Sequence, residues 1–480
     1  MESAPVTQQE NAIPAGAQPA VGQDVAPASR GRARPSLRAN VSWTFVGNVV
    51  NEGSWWAMTV VLARLGSPEH VGRFALGLAA TAPVFMFATL RLRDVQATDV
   101  KGEYRFGDYF ALRLTTTALA MLVVVGIALV SGYTGEAAWV IVATGISKAM
   151  EAISDAYYGL FMKHERLDRI AKSMMIKGPL SLVGLAIGFV LTGSVFWGVV
   201  GLAAARALVM VAYDTRNAAR ILRVVRPAAK TPPQESVPPQ EAADDDLPRP
   251  HWNRRILARL AWAALPLGLV SMLISFTSNV PRYFVEGQLG SYYLGIFVAV
   301  AAFQKVAPAV VQALGRSASP RLAKYYAAAD VRLFRKLALR VVGLGGALGA
   351  GGVLVAAVAG RHILALFYGP EYVLPDVFVL LMVAAGCDYV ATMLLFVITS
   401  ARAFRVQLPL QLLTTSTVAL ACWWLVPSRG LEGAAWALII GDAVRMVAAL
   451  GAVGAIARAL GRRAARPAEP VVVPVGERAA

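Results

Sequence analysis

One apolar stretch of the chain carries four chemically capable side chains at helical spacing. Lys148, Glu151, Asp155 and Tyr158 follow one another three, four and three residues apart. That spacing sets all four on one face of an α-helix. A charge held near the middle of a bilayer costs a few kcal/mol, so such a face must turn toward protein or water. Two readings follow. Lys148 and Glu151 can satisfy each other one turn apart, with Asp155 near the aqueous end of the helix. Alternatively, the stripe lines a polar path through the membrane. Asn48, Asn51, Glu52 and Trp55 form a second stripe, and Ser271, Ser275, Ser278, Asn279 and Arg282 a third. Arg206 lies in another apolar run, and Lys305 and Gln312 share one face of a further one. Asp442 and Arg445 stand three apart and are expected to pair, whereas Asp388 is alone in its run and needs a partner or a proton. The candidates for a substrate or ion pathway are therefore Glu52, Lys148, Glu151, Asp155, Arg206, Arg282, Lys305 and Asp388. Taken together, the mid-membrane cations Lys148, Arg206, Lys305 and Arg445 nearly balance Glu52, Glu151, Asp155, Asp388 and Asp442, so charge alone does not select an anionic substrate.

Other chemistries find little support. Cys387 and Cys422 each sit deep in an apolar run, and the four histidines are scattered without an HExxH motif, so neither disulfides nor a metal is expected. Gly343-Leu344-Gly345-Gly346-Ala347-Leu348-Gly349 lacks the last glycine of a dinucleotide loop and has no strand before it. Small residues four apart, such as Gly345 and Gly349 or Gly184 and Gly188, instead permit close helix packing in lipid. The acidic run Asp244-Asp245-Asp246 stands in a Pro-rich segment and reads as a solvated patch. Loops on one side of the membrane are too short to hold the acid–base groups of a glycan polymerase or transferase. No cofactor is expected.

These residues must be positioned by membrane helices. The chain is 57% hydrophobic and only 16% charged, with a mean hydropathy of +0.55. A water-soluble fold could not bury so much apolar surface, whereas lipid accommodates it. At about 20 apolar residues per crossing, spans fall near 41–63, 72–90, 109–131, 137–162, 171–193 and 195–213, and again near 258–281, 292–314, 339–359, 375–399, 408–426 and 433–457. The expected organisation is a polar N-terminal tail over 1–40, a six-helix lobe over 41–213, a Pro-rich linker over 214–257, a second six-helix lobe over 258–457 and a tail over 458–480. The formal net charge of +17 is a topology signal rather than a nucleic-acid one. Alternate loops, including eight Lys and Arg in 214–257 and seven in 315–340, hold nearly all the basic residues. The bias is about seven to one and places both termini and the linker in the cytoplasm. At the cytoplasmic mouth, Arg91, Arg93, Lys172, Lys177 and Arg316 would attract anionic lipid head groups. Leu65-Gly66-Ser67 with Gly72-Arg73-Phe74 is echoed by Leu289-Gly290-Ser291 with Gly295-Ile296-Phe297. Six helices per half then give a parallel repeat about an axis along the membrane normal.

Several of these stretches resemble the polysaccharide-transporter, or Wzx-type oligosaccharide flippase, family of the MATE-like superfamily. They are Leu62-Ala63-Arg64-Leu65-Gly66 with Gly72-Arg73-Phe74, the run Ser147 to Asp155 with Tyr158-Gly159, Asn279-Val280-Pro281-Arg282-Tyr283-Phe284, Pro320-Arg321-Leu322-Ala323, and Phe367-Tyr368-Gly369-Pro370-Glu371-Tyr372. The resemblance implies an all-α bundle of about twelve transmembrane helices in two lobes around a central cavity. It implies alternating access carrying an undecaprenyl-pyrophosphate-linked oligosaccharide across a bacterial cytoplasmic membrane, without catalytic residues or a bound cofactor. The implied partners are that lipid-linked oligosaccharide, membrane lipids, and the polymerase and glycosyltransferases of the same pathway, with no nucleic acid. Two other functions compete. One is a MATE-like exporter of small cationic compounds using Glu52, Asp155 or Asp388 for a coupling ion. The other is a membrane glycan polymerase or ligase.

Overall fold

The computed structural model describes residues 37–99, 102–133, 135–225, 249–305 and 307–464. The N-terminal tail to residue 36, the Asp244–Asp246 run and the C-terminal tail beyond 464 lie outside the described residues. The first half comprises α1 (Leu37–Leu65), α2 (Pro68–Ala88), short α3 (Leu92–Thr98), α4 (Phe106–Val130), α5 (Glu136–Lys163), α6 (Leu167–Thr192), α7 (Val195–Val209) and α8 (Arg216–Val225). The second comprises α9 (Arg254–Leu289), α10 (Ser291–Ala301), α11 (Pro308–Ala327), α12 (Val331–Phe367), α13 (Pro375–Ser400) and α14 (Gln407–Ala464).

Among the described residues, ten helical segments are long and apolar enough to cross a bilayer. The last is two crossings joined at Gly430, whose φ of 56° no helix interior adopts. Helix α1 falls below that apolarity because it carries Asn48, Asn51 and Glu52, yet its 29 residues span about 43 Å at 1.5 Å per residue. Counting α1 and both parts of α14 gives the twelve crossings expected from the sequence, each overlapping its anticipated range. Several run longer than the apolar core requires. Helices α9 and α12, with 36 and 37 residues, reach about 55 Å and project beyond a hydrocarbon layer of about 30 Å.

Alternation of the crossings gives the bundle two ends. One carries the short connections after α1, α4, α6, α9 and α12. The other carries the longer segments around 89–105, the linker, and the turns near 164–166, 328–330 and 401–406. We call these the short-loop end and the linker end. Each half packs mainly on itself: α6 on α1 and α7, α5 on α2, α4 and α7, then α13 on α11, α12 and α14, with α9 against α14. The halves meet where α2 lies against α9 and α10. Close approaches rely on glycine as expected, with Gly184 against the Gly201 carbonyl and Gly349 against Gly386.

The apolar core is continuous at one end and divided at the other. At the short-loop end a single cluster joins both halves, from Met58, Leu62 and Phe74 to Val280, Leu294, Phe297, Leu364, Tyr368 and Phe378. At the linker end the first half has its own cluster around Tyr157, Tyr158 and Phe161. The second has separate clusters around Leu322 and Phe334 and around Ile398 and Leu410. The exception is the start of α9, where Leu257, Leu260 and Ala264 pack on Leu90, Tyr109 and Leu112 of the first half. The chain entering α9 is tied to the same surface. His251 donates its backbone N–H to the Gly107 carbonyl at 3.0 Å, and its Nδ1 lies 2.7 Å from Asp108 Oδ1. A bundle joined at one end and divided at the other encloses a cleft that opens toward the linker end.

Candidate functional site in the interhelical cleft

The closed end of the cleft is sealed by contacts between the halves. Helices α2 and α10 cross where Gly72 and Gly295 face the opposite backbone. A Cβ on Gly72 would stand 1.7 Å from the Ser291 carbonyl oxygen, and one on Gly295 would stand 1.8 Å from that of Pro68. The echoed sequence elements are thus the two sides of one crossing. Arg64, at the end of α1, donates through Nε and Nη2 to the carbonyls of Phe367, Ala365 and Leu366. These carbonyls belong to the last turn of α12, where a cation is favoured. Trp56, Phe303, Phe367 and Phe378 pack ring on ring beneath this seal, and Tyr283 donates its hydroxyl to the Ala79 carbonyl across the halves at 2.5 Å.

Below the seal lies the polar group anticipated from α5. Lys148 Nζ and Arg206 Nη1 each donate to the same oxygen, Glu151 Oε2, at 2.9 Å. Arg206 also reaches Ser147 Oγ at 3.0 Å. Both cations lie over the Trp55 ring, 5.3 Å and 4.8 Å from its centroid. The arginine side chain is 5% exposed and the glutamate 45%, so the carboxylate fronts the cleft and the guanidinium lies behind it. The pairing of Lys148 with Glu151 expected from their spacing is present, and Arg206 is a second cation on the same oxygen, so removing Lys148 alone would leave Glu151 with Arg206.

The opposite wall comes from the second half. Arg282 of α9 donates to Asn279 Oδ1 at 3.0 Å. Lys305 ends the 3₁₀ turn Ala302–Lys305 that interrupts the eighth crossing between α10 and α11. The interruption is stabilised from α13: Gln304 Nε2 donates to the Leu381 carbonyl at 2.7 Å, and Tyr389 Oη donates to the Gln304 carbonyl at 2.9 Å. Irregular backbone at this depth is tolerated where protein satisfies it or a cavity receives it. Lys305 is exposed to the cleft, and the charges acting on it are those of Arg282, Glu52 and Lys148, from both halves. Neither Arg282 nor Lys305 has an ion-pair partner among the described residues.

The remaining candidates lie elsewhere. Asp155 pairs with Arg93 at 3.1 Å and with Arg113 at 3.0 Å near the linker end. Asp388 has the partner its sequence demanded, Arg445, which also holds Asp442 at 3.1 Å within the second half. With these acids neutralised locally, the near-balance of charge read from the sequence does not describe the cleft: Lys148, Arg206, Arg282 and Lys305 stand at its walls against Glu52 and Glu151. Lys177 is also misplaced by the sequence reading. It is buried within the first half, 3.3 Å from Asp214 and 2.9 Å from the Tyr158 hydroxyl, because the sixth crossing continues helically past residue 213 to Val225. A π-helical stretch, Met210–Thr215, turns Asp214 inward. Arg91, Arg93, Lys172 and Arg316 are exposed at or toward the linker end, where Lys172 covers Trp43 at 5.2 Å. There Asp99 accepts from the backbone N–H groups of Glu103 and Tyr104 and faces Lys163 at 3.4 Å. Burial pushes its carboxyl up, but these donors outweigh it and hold it below the usual range.

Arg113 and Asp214 were missed by the sequence reading. Arg113 was legible as a cation in the third apolar run. Asp214 was not, because the π-helical stretch shifts register without a sequence signature.

The fold is that of the MATE transporters of the MOP superfamily. The chain superposes on an inward-facing multidrug resistance MATE transporter with a TM-score of 0.64 at 15% identity, covering 89% of this chain and all of that one. An outward-facing multidrug resistance MATE transporter gives 0.53 at 16% identity, covering 89% of this chain and 98% of that one. A MOP superfamily transporter of Pyrococcus furiosus, described as having a binding pocket of reverse polarity, aligns with a TM-score of 0.52 at 17% identity over 88% of this chain and 95% of that one. In sequence, the chain is 24% identical over 412 residues to the capsular polysaccharide biosynthesis protein CapF of Staphylococcus aureus, covering 85% of this chain and 97% of that protein. No family model matches the chain.

Proposed function

We propose that this protein is a flippase that carries undecaprenyl-pyrophosphate-linked oligosaccharide units across the bacterial cytoplasmic membrane for surface polysaccharide assembly. The observation that carries this reading is the cationic blind end of the cleft. Four basic side chains from both halves surround it, and two have no acidic partner among the described residues. A pyrophosphate group supplies the anion such a site attracts. The likeness to a capsular polysaccharide biosynthesis protein supports the same cargo. In this orientation the linker end faces the cytoplasm, where lipid-linked units are made, and the seal at Gly72 and Gly295 faces outward. Rocking of the halves about the α2–α10 crossing would open the other side. The chain acts by binding and movement, without a chemical step, and works beside the polymerase and glycosyltransferases of its pathway.

An exporter of small cations fits less well, because Asp155 and Asp388 are engaged by arginines, which leaves Glu52 alone among the acids named for a coupling ion, and basic side chains outnumber acidic ones at the cleft walls. A deletion strain separates the two readings. Loss of surface glycan, restored by the wild-type gene and with unchanged susceptibility to cationic drugs, is the expected result. Intact glycan with heightened drug susceptibility would favour export.

A further inference from the structure

Glu151 occupies an unusual position for a residue in an anion-attracting cleft. Its Oε2 accepts from Lys148 and Arg206 together, both at 2.9 Å. A single carboxylate oxygen shared by a lysine and an arginine presents what one phosphate oxygen would present. Each cation also has a contact besides that oxygen. Trp55 lies beneath both, Ser147 anchors the guanidinium, and Arg206 is almost wholly buried. The carboxylate, by contrast, is nearly half exposed on the cleft side, and a glutamate has three side-chain torsions through which to swing away.

We propose that Lys148 and Arg206, on their Trp55 shelf, form a phosphate-binding site, and that Glu151 fills it as an internal stand-in which the cargo's diphosphate must displace. This rests on the transport reading above and adds what that reading leaves open, the place of the head group on the first-half wall. Arg282 and Lys305 stand across the cleft to meet the second phosphate. The stand-in has two physical consequences. It compensates a buried guanidinium when the site is empty, where an unpaired charge would be costly. It also competes with the cargo and weakens its binding, so the head group leaves once the halves reorient.

The test measures binding of geranylgeranyl diphosphate to the purified protein in lipid nanodiscs, followed by tryptophan fluorescence. Geranylgeraniol controls for the isoprenoid tail and inorganic pyrophosphate for the free anion. Glu151→Gln removes the competing charge while keeping an oxygen acceptor and should tighten diphosphate binding about tenfold, within the usual range for coupling between ligands. Glu151→Asp retains the charge and should bind within a few-fold of wild type, which guards against a folding artefact. Lys148→Ala should weaken binding about tenfold or more, with Lys148→Arg recovering part of the loss. Equal or weaker binding by Glu151→Gln would overturn the stand-in. If no form binds the diphosphate while the wild-type gene still restores surface glycan, the phosphate site is wrong and the transport reading stands. If Glu151→Gln tightens binding but the gene has no effect on glycan, the site stands and the transport reading falls.

Discussion

Arg445 shows how the membrane enforces pairing at the level of single residues. It holds Asp388 and, at 3.1 Å, Asp442, in the interior of the second half. Its own side chain is 13% exposed. Truncating it strands two carboxylates, and breaking a buried pair costs roughly 3–5 kcal/mol. Asp388 is 40% exposed, so screening lowers the figure to about 2 kcal/mol. Arg445→Ala should reduce membrane abundance and melting temperature, and the triple variant Arg445→Leu, Asp388→Asn, Asp442→Asn should recover both, as fluorescence size-exclusion profiles would show. A normal melting temperature for Arg445→Ala would contradict a structural role. This pairing was only half legible. Asp442 and Arg445 are three residues apart, and their contact follows from helix geometry. Asp388 lies on another helix, and which cation meets it depends on how the crossings pack. The same limit made the mid-membrane charge appear neutral, since a sum over the sequence cannot separate acids paired inside a lobe from those facing the cleft.

Helices were the most legible level, because a crossing needs about 20 apolar residues and interruptions carry polar or Pro signals. What the apolar pattern did not reveal were the departures from regular helix. The 3₁₀ turn Ala302–Lys305 and the π-helical Met210–Thr215 occur within otherwise continuous apolar runs, and each brings a charged residue, Lys305 or Asp214, to a place regular geometry would not. The repeated Leu-Gly-Ser and Gly-x-Phe elements were visible, but not that they touch. Their contact yields a sharp prediction. No side chain fits at Gly72 without moving the Ser291 backbone, so Gly72→Val should hold the short-loop end apart. In a variant without Cys387 and Cys422, Phe303→Cys should react with a membrane-impermeant thiol reagent applied outside only when Gly72→Val is also present. Equal labelling with and without Gly72→Val would mean that the crossing does not form the seal.

For the molecule as a whole, the continuous apolar core at one end and its division at the other explain both the stability of the bundle and the opening of the cleft. The basic bias of the linker-end loops is what supports the proposal that this end is cytoplasmic. Reporter fusions near residues 235 and 366 should therefore fall on opposite sides, cytoplasmic and external, and the same side for both would refute the arrangement. Transport of a lipid-linked sugar can be measured in proteoliposomes. A fluorescent polyprenyl-diphosphate oligosaccharide is incorporated into both leaflets, and an impermeant quencher is added outside. Empty liposomes should retain about half the signal, because the inner leaflet is protected and charged lipids cross unaided very slowly. Liposomes containing the wild-type protein should lose most of that remainder, while those containing Lys148→Ala should lag about tenfold or more in rate. A protected fraction with the wild-type protein equal to that of empty liposomes, under conditions where the protein is folded and inserted, would contradict the account.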